Sequence, residues 1–165
     1  MQIRNIKLSV KLDKCPLDIA IKKLTAKKVS YKNHGNFISF THIFSFVLFK
    51  PSKNGQTHVN VTKVPQFKKH IKKSLLVIEK LMCRKVINFT VDNIIATTDL
   101  EKKVNLEEIT RQRKNIVYNS ERFPGLFIKF TQGTSIVYHS GKIVIVGCKT
   151  VHRLKKIEKW LHAHI

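Results

Sequence analysis

The sequence predicts an α+β protein in which one supersecondary unit is used twice, each copy running strand, helix, several strands, helix. Three observations carry this reading. Strand, helix and turn signals recur with a period of about 88 residues. Segments rich in β-branched and aromatic residues are separated by Lys-Asn-Gly or Ser-Gly turns, the mark of antiparallel hairpins. Each half closes on a stretch whose apolar residues recur three or four apart among lysines, the mark of an amphipathic helix. With 165 residues, 42% of them apolar, the chain can bury one continuous core.

The elements follow in order. IRNIKLSVKLDKCPLDIAIKKL, from Ile3, aligns with VDNIIATTDLEKKVNLEEITRQ, from Val91, setting Asn5 opposite Asn93 and Leu12 opposite Leu100. Each segment begins as a strand and passes into a short helix. Asn105, with Glu108 three residues on, makes a capping-box-like start, and Pro16 suits a first helical turn. KKVSYKNHGNF then answers KNIVYNSERF, matching Tyr31 with Tyr118 and, across one inserted residue, Phe37 with Phe123. A turn precedes each phenylalanine. ISF and FSFVLF in the first half, and LFIKF and TSIVYHSGKIVIVG in the second, read as hairpin strands. The closing helices carry apolar stripes of Ile71, Leu75, Ile78 and Met82, and of Leu154, Ile157 and Leu161. Residues 1–86 form the first repeat and residues 87–165 the second, together one compact domain. Each repeat has five strands with helices on one face only, which leaves the other face to water or to a partner.

Charge says what kind of partner. Thirty-two Lys and Arg face ten Asp and Glu, a formal +22. Residues 1–80 hold seventeen basic and three acidic residues, and the remainder fifteen and seven. Cations spread along both halves imply a polyanion, bound with counterion release. Cys15, Cys83 and Cys148 are odd in number and far apart, so they encode neither a disulfide framework nor a zinc site, and a reducing compartment suits them. No apolar run is long enough to span a bilayer. Carboxylate clusters, metal-ligand spacings and phosphate-cradling glycine loops are missing from the sequence, which argues against an enzyme, a metal, a cofactor and a small-molecule substrate.

ERFPGLFIKF followed by SIVYHSGKIVIVGCK, with its FPG turn, SGK hairpin turn and terminal G-x-K, resembles the second repeat of the TATA-box-binding protein family. FTVDNIIATTDL resembles the strand that opens that repeat, so the likeness runs from residue 87 to 150. The first half, with FVLFKPSKNGQTHVNVTKV in place of the SGK hairpin, is more divergent and joins through the internal duplication. The resemblance implies a pseudo-two-fold saddle of about ten antiparallel strands with four helices on the convex face. It implies binding and bending of AT-rich double-stranded DNA through the minor groove. That family is itself a standard illustration of apolar wedges between base steps, so the wedging comes with the resemblance.

Carried over residue by residue, the intercalating positions are Phe37 and Phe49 in the first repeat and Phe123 and Tyr138 in the second. Asn5 and Asn93 match the asparagines that donate to minor-groove acceptors, and Thr62, Ile95 and Val146 line the groove floor beside them. Lys7 stands where the family has valine, and Val146 where it has threonine. Arg122, Lys129, Lys142 and Lys149 match phosphate-contacting cations, with Lys63 a further candidate. Glu121 and Leu126 match the turn that meets a transcription factor IIB-like protein. Together these imply a promoter-binding general transcription factor that nucleates an initiation complex with the RNA polymerase machinery, in the nucleus or at a viral transcription site. The Lys7, Tyr138 and Val146 departures support a second reading, a divergent cellular or viral factor with weak or non-TATA preference that acts mainly as an assembly platform.

Overall fold

The computed structural model describes residues 1–111 and 116–165. In chain order these form β1 (Gln2–Leu12), α1 (Leu17–Ala26), β2 (Tyr31–Asn33), β3 (Phe37–Thr41), β4 (Ser45–Phe49), β5 (Thr57–Val64) and α2 (Lys69–Met82). There follow β6 (Val86–Asp99), α3 (Leu106–Arg111), β7 (Ile116–Val117), β8 (Gly125–Phe130), β9 (Gly133–Tyr138), β10 (Lys142–Cys148) and α4 (Val151–His164). Residues 112–115, part of two aligned segments, lie outside the described residues.

Two compact units result, one of Asn5–Asp92 and one of Met1–Arg4 with Asn93–Ile165, so the divide falls inside β1 and inside β6. The first unit orders its strands β2-β3-β4-β5-β1, and the second β6-β10-β9-β8-β7. The expected plan of five strands and two helices is present in each. Pairing within the units is antiparallel.

Alternation along the strands decides which face is core. In β1, Ile6, Leu8, Val10 and Leu12 are fully buried while Asn5, Lys7, Ser9 and Lys11 alternate with them. β10 repeats the pattern, with Ile143 and Ile145 buried between Lys142, Val144 and Val146. The buried rows lie under the helices. α2 packs on β5 and α1 on α2, while α4 packs on β10.

The closing helices bury a stripe at helical spacing, Ile71, Ser74, Ile78, Leu81 and Met82 in α2 and Leu154, Ile157 and Leu161 in α4. Leu75 is the exception to the expected stripe. The buried arc of α2 is centred near Ile78, which leaves Leu75 half-buried at its rim and brings Ser74 and Leu81 in. The Ser74 hydroxyl is satisfied by donating to the Ile71 carbonyl, 2.8 Å. Capping is local and legible: Asn105 Oδ1 accepts from the Glu108 N–H at 3.2 Å, and Thr150 Oγ1 from the Arg153 N–H at 3.3 Å.

Candidate nucleic-acid interface

On the sheet face away from the helices, each unit presents an asparagine, a strip of small and β-branched side chains, aromatic rings at one end, and lysines. The asparagines are set by β-bulges. Between Ile6 and Leu8 the β1–β5 register slips by one residue, and between Ile145 and Cys148 the β6–β10 register slips likewise. The residue left over in each bulge adopts a positive φ, 61° at Lys63 and 84° at Gly147. Its N–H then leaves the ladder and donates to asparagine: Lys63 N–H to Asn5 Oδ1 at 2.8 Å, and Gly147 N–H to Asn93 Oδ1 at 2.7 Å. With the amide oxygen tied to the backbone, the Nδ2 group of each asparagine is turned the other way, so the side chain is oriented as a donor.

Lys63 occupies with a side chain a conformation that costs an L-residue about 1–2 kcal/mol. Lys63→Gly is therefore expected to stabilise the fold by about 0.5–1 kcal/mol even after glycine's extra chain entropy, raising Tm by about 2 °C in a thermal melt. A lowered Tm would show that the lysine side chain stabilises the bulge.

The aromatic ends are built by turns. Asn119 Oδ1 accepts from the N–H groups of Glu121 and Arg122 at 3.2 and 3.3 Å, and its carbonyl from the Phe123 N–H at 3.0 Å. This closed turn holds Phe123 36% exposed, its ring 5.2 Å from Phe127 and 6.2 Å from Tyr138. Gly125 leaves room for the group: a Cβ there would lie 2.7 Å from Phe123 and 3.2 Å from Tyr138. In the other unit Asn33 Oδ1 accepts from the Gly35 N–H at 2.9 Å, and Phe37 follows at the start of β3. Phe37 and Phe49 are cross-strand partners 5.6 Å apart, and His34 stacks on Phe37 at 4.4 Å.

The floor residues fall where alternation puts them. Thr62, Ile95 and Val146 are half-exposed and Lys7 is exposed. In the second unit an open cleft of about 720 Å³ runs past Arg4, Thr97, Tyr138, Ser140, Lys142 and Val144. Arg4 Nε donates to Thr97 Oγ1 at 2.9 Å. Arg122, Lys129, Lys142 and Lys149 are all exposed. The carboxylates nearby are engaged by the chain itself: Asp92 accepts from the Ser9 and Thr90 hydroxyls, and Asp99 from the Glu101 N–H.

Leu126 does not join the exposed turn. It is fully buried, because β8 alternates and position 126 points to the helix side, so only Glu121 of that pair is exposed. Sequence reasoning missed Phe127, His34, Asn33, Asn119 and Gly147, and it singled out Lys63 as a phosphate contact and not as a bulge residue. Two of these had a readable signal: asparagine just before a glycine or a polar turn is a standard Asx-turn former. Phe127 was legible only through cross-strand register, opposite Ile136 and two places from Gly125.

One-sided antiparallel sheets, duplicated, each with an asparagine at a bulge and aromatic rings at a turn, define a class: repeat α+β proteins that present a bare β-surface. Residues 88–163 match the family described as "Transcription factor TFIID (or TATA-binding protein, TBP)". The chain resembles the "TATA-box-binding protein-like 1" of Entamoeba histolytica, 43% identical over 63 residues, 37% of this chain and 29% of that one. It also resembles the TATA-box-binding proteins of Pyrococcus abyssi, 31% identical over 42% of this chain and 38% of that one, and of Sulfurisphaera tokodaii, 32% identical over 50% and 41%. The matches thus span well under half the length of these curated relatives. Among solved structures, Methanococcus jannaschii TBP superposes with a TM-score of 0.79 over 98% of this chain and 95% of that one, at 22% identity. The chain is TATA-binding-protein-like and divergent: the family's fold extends over both repeats, while its sequence likeness is concentrated in the second.

Proposed function

We propose that the helix-free face of each unit lies in the minor groove of AT-rich double-stranded DNA and bends it, and that the bound protein nucleates a transcription initiation complex. The observation that carries this reading is the paired asparagine geometry. Adenine N3 and thymine O2 are acceptors, whereas guanine adds an N2 amino donor, so a side chain held as a donor suits A·T and is repelled by G·C. Around each donor the floor offers Thr62, Ile95 and Val146 for close apolar contact, with Phe37, Phe49, Phe123 and Tyr138 as wedges. Arg122, Lys129, Lys142 and Lys149 supply phosphate contacts. Glu121, exposed at the turn before Phe123, is the proposed contact for a transcription factor IIB-like protein, with Leu126 supporting the turn from the core beneath it. Work of this kind places the protein at promoters, in the nucleus of a cellular host.

Binding curves on an AT-rich and a GC-rich duplex at equal salt test the reading directly. A preference of about tenfold or more for the AT-rich duplex is expected, since even a single mismatched base pair costs about 1–3 kcal/mol. A ratio near one would sink minor-groove discrimination. Phosphate contacts give a different signature. Lys142→Ala should make the plot of log affinity against log salt shallower by about 0.9 and weaken both duplexes alike. A loss confined to one sequence would mean that Lys142 reads bases.

A further inference from the structure

The helix side of the second unit carries a cationic surface of its own. α4 buries Leu154, Ile157 and Leu161 toward the sheet, and its outer side holds His152, Lys155, Lys156, Lys159 and His162, spaced as neighbours along one helix face and all exposed. The single carboxylate of the helix is engaged elsewhere: Glu158 Oε1 accepts from the Thr98 hydroxyl at 2.8 Å and pairs with the Met1 ammonium at 3.1 Å. Among the described residues, no ion pair reaches Lys155, Lys156 or Lys159. Lys159 is one helical turn from both other lysines, so like charges repel along the face. A bound polyanion removes that repulsion.

Two observations narrow the class of polyanion. The outer face presents no large apolar side chain, so a folded acidic protein finds nothing to desolvate there, and isolated surface ion pairs contribute little. A phosphate backbone needs no apolar anchor, because its dense charge releases counterions at each lysine it meets. On the flank of α4, the Trp160 ring is met edge-on by Phe130 at 5.2 Å and stacked by His164 at 4.6 Å. Rings packed on one another within the protein make a poor platform for unpaired bases, which favours the backbone of a duplex over a single strand.

We propose that the outer face of α4 holds the phosphate backbone of a second double-stranded DNA segment, independently of sequence. From His152 to His162 the stripe rises about 15 Å, long enough to follow several phosphates of one strand. Lys142 and Val146 lie on the helix-free side of the same unit, opposite the buried row that α4 covers. A segment held there in the minor-groove reading and a segment held on α4 therefore do not compete, and the protein bridges two stretches of DNA. The bridging rests on that reading, whereas the α4 contact stands without it.

Lysine acylation read by mass spectrometry, with one and then two equivalents of a short AT-rich duplex, tests both sides of the unit. Lys142 should be protected by the first equivalent, and Lys155, Lys156 and Lys159 by the second. Lysines on α4 that stay as reactive with two equivalents as without DNA would overturn the proposal. Protection on α4 with Lys142 left reactive would instead overturn the minor-groove reading and leave the α4 contact in place. Bridging is read by immobilising the AT-rich duplex, adding protein and then a labelled GC-rich duplex. Wild type should retain the label, and the triple variant Lys155→Gln, Lys156→Gln, Lys159→Gln should hold it about tenfold or more weakly, with a salt slope shallower by about 2.7. The three side chains are exposed and glutamine is a good helix former, so the variant is expected to fold. Equal retention by the variant would remove α4 from the contact. Displacement of the label by polyglutamate or by single-stranded DNA as readily as by unlabelled duplex would overturn the assignment to a duplex.

Discussion

Phe123→Ala is expected to take away much of the DNA bend while leaving the protein folded. The ring sits in a hydrogen-bonded turn, touches Phe127 and Tyr138, and keeps 36% of its surface in solvent. Its loss removes two tilted ring contacts worth at most about 0.5–1.5 kcal/mol each, a modest part of the stability of a domain this size. In the proposed complex the same ring replaces stacking between two base pairs, worth a few kcal/mol per step, and without it the kink would have no wedge to hold it open. End-to-end energy transfer on a short duplex should therefore report a straighter complex, and circular dichroism an unchanged fold. An unaltered bend in the folded variant would remove Phe123 from the interface. Gly125→Ala offers a second route to the same end, because the added methyl would lie 2.7 Å from the Phe123 ring and 2.8 Å from the Ile136 side chain, so it must shift the ring or its neighbour without removing either.

The second large effect is expected at the asparagines. Asn93→Asp keeps an oxygen in place to accept from the Gly147 N–H, so the bulge survives and stability should change by less than about 0.5 kcal/mol. The two amide donors are lost, and a negative charge is set against groove acceptors and phosphates. DNA affinity should fall by at least the roughly 1–3 kcal/mol that one good base contact contributes, about tenfold to more than a hundredfold. Asn93→Ala separates the two roles: it orphans the Gly147 N–H, and so should lower stability more than the aspartate does. Asn5→Asp is the matching change on the Lys63 N–H. Wild-type affinity in Asn93→Asp, measured by fluorescence anisotropy at fixed salt, would show that the amide faces no acceptor in the complex.

Much of the architecture is readable in the sequence, because the signals are local. Alternation in IRNIKLSVKL places Ile6, Leu8 and Val10 on one face, helical spacing places Ile78 and Met82 together, and Asn105 before Glu108 starts α3. The duplication tied these pieces into two equal plans and made Asn5 and Asn93 visible as a pair. Leu75 and Leu126 show where local pattern stops. Both are apolar residues in sound elements, yet one sits at the rim of a buried arc and the other deep in the core, a difference set by neighbours distant in sequence.

What this protein is made of, then, was determined by the sequence alone: a doubled α+β unit, strongly cationic, with its family likeness concentrated after residue 87. Only the tertiary structure decided how the face is aimed. The bulges opposite Lys7 and Ile95 arise from strand pairs far apart in the chain, and they turn Lys63 and Gly147 toward the asparagine oxygens. Phe127 joins Phe123 and Tyr138 through cross-strand register in the same way. Periodicity is a property of neighbours along the chain and survives in a one-dimensional reading. Register, bulge position and side-chain aim depend on which residues meet across a sheet, and that is settled only when the whole unit packs.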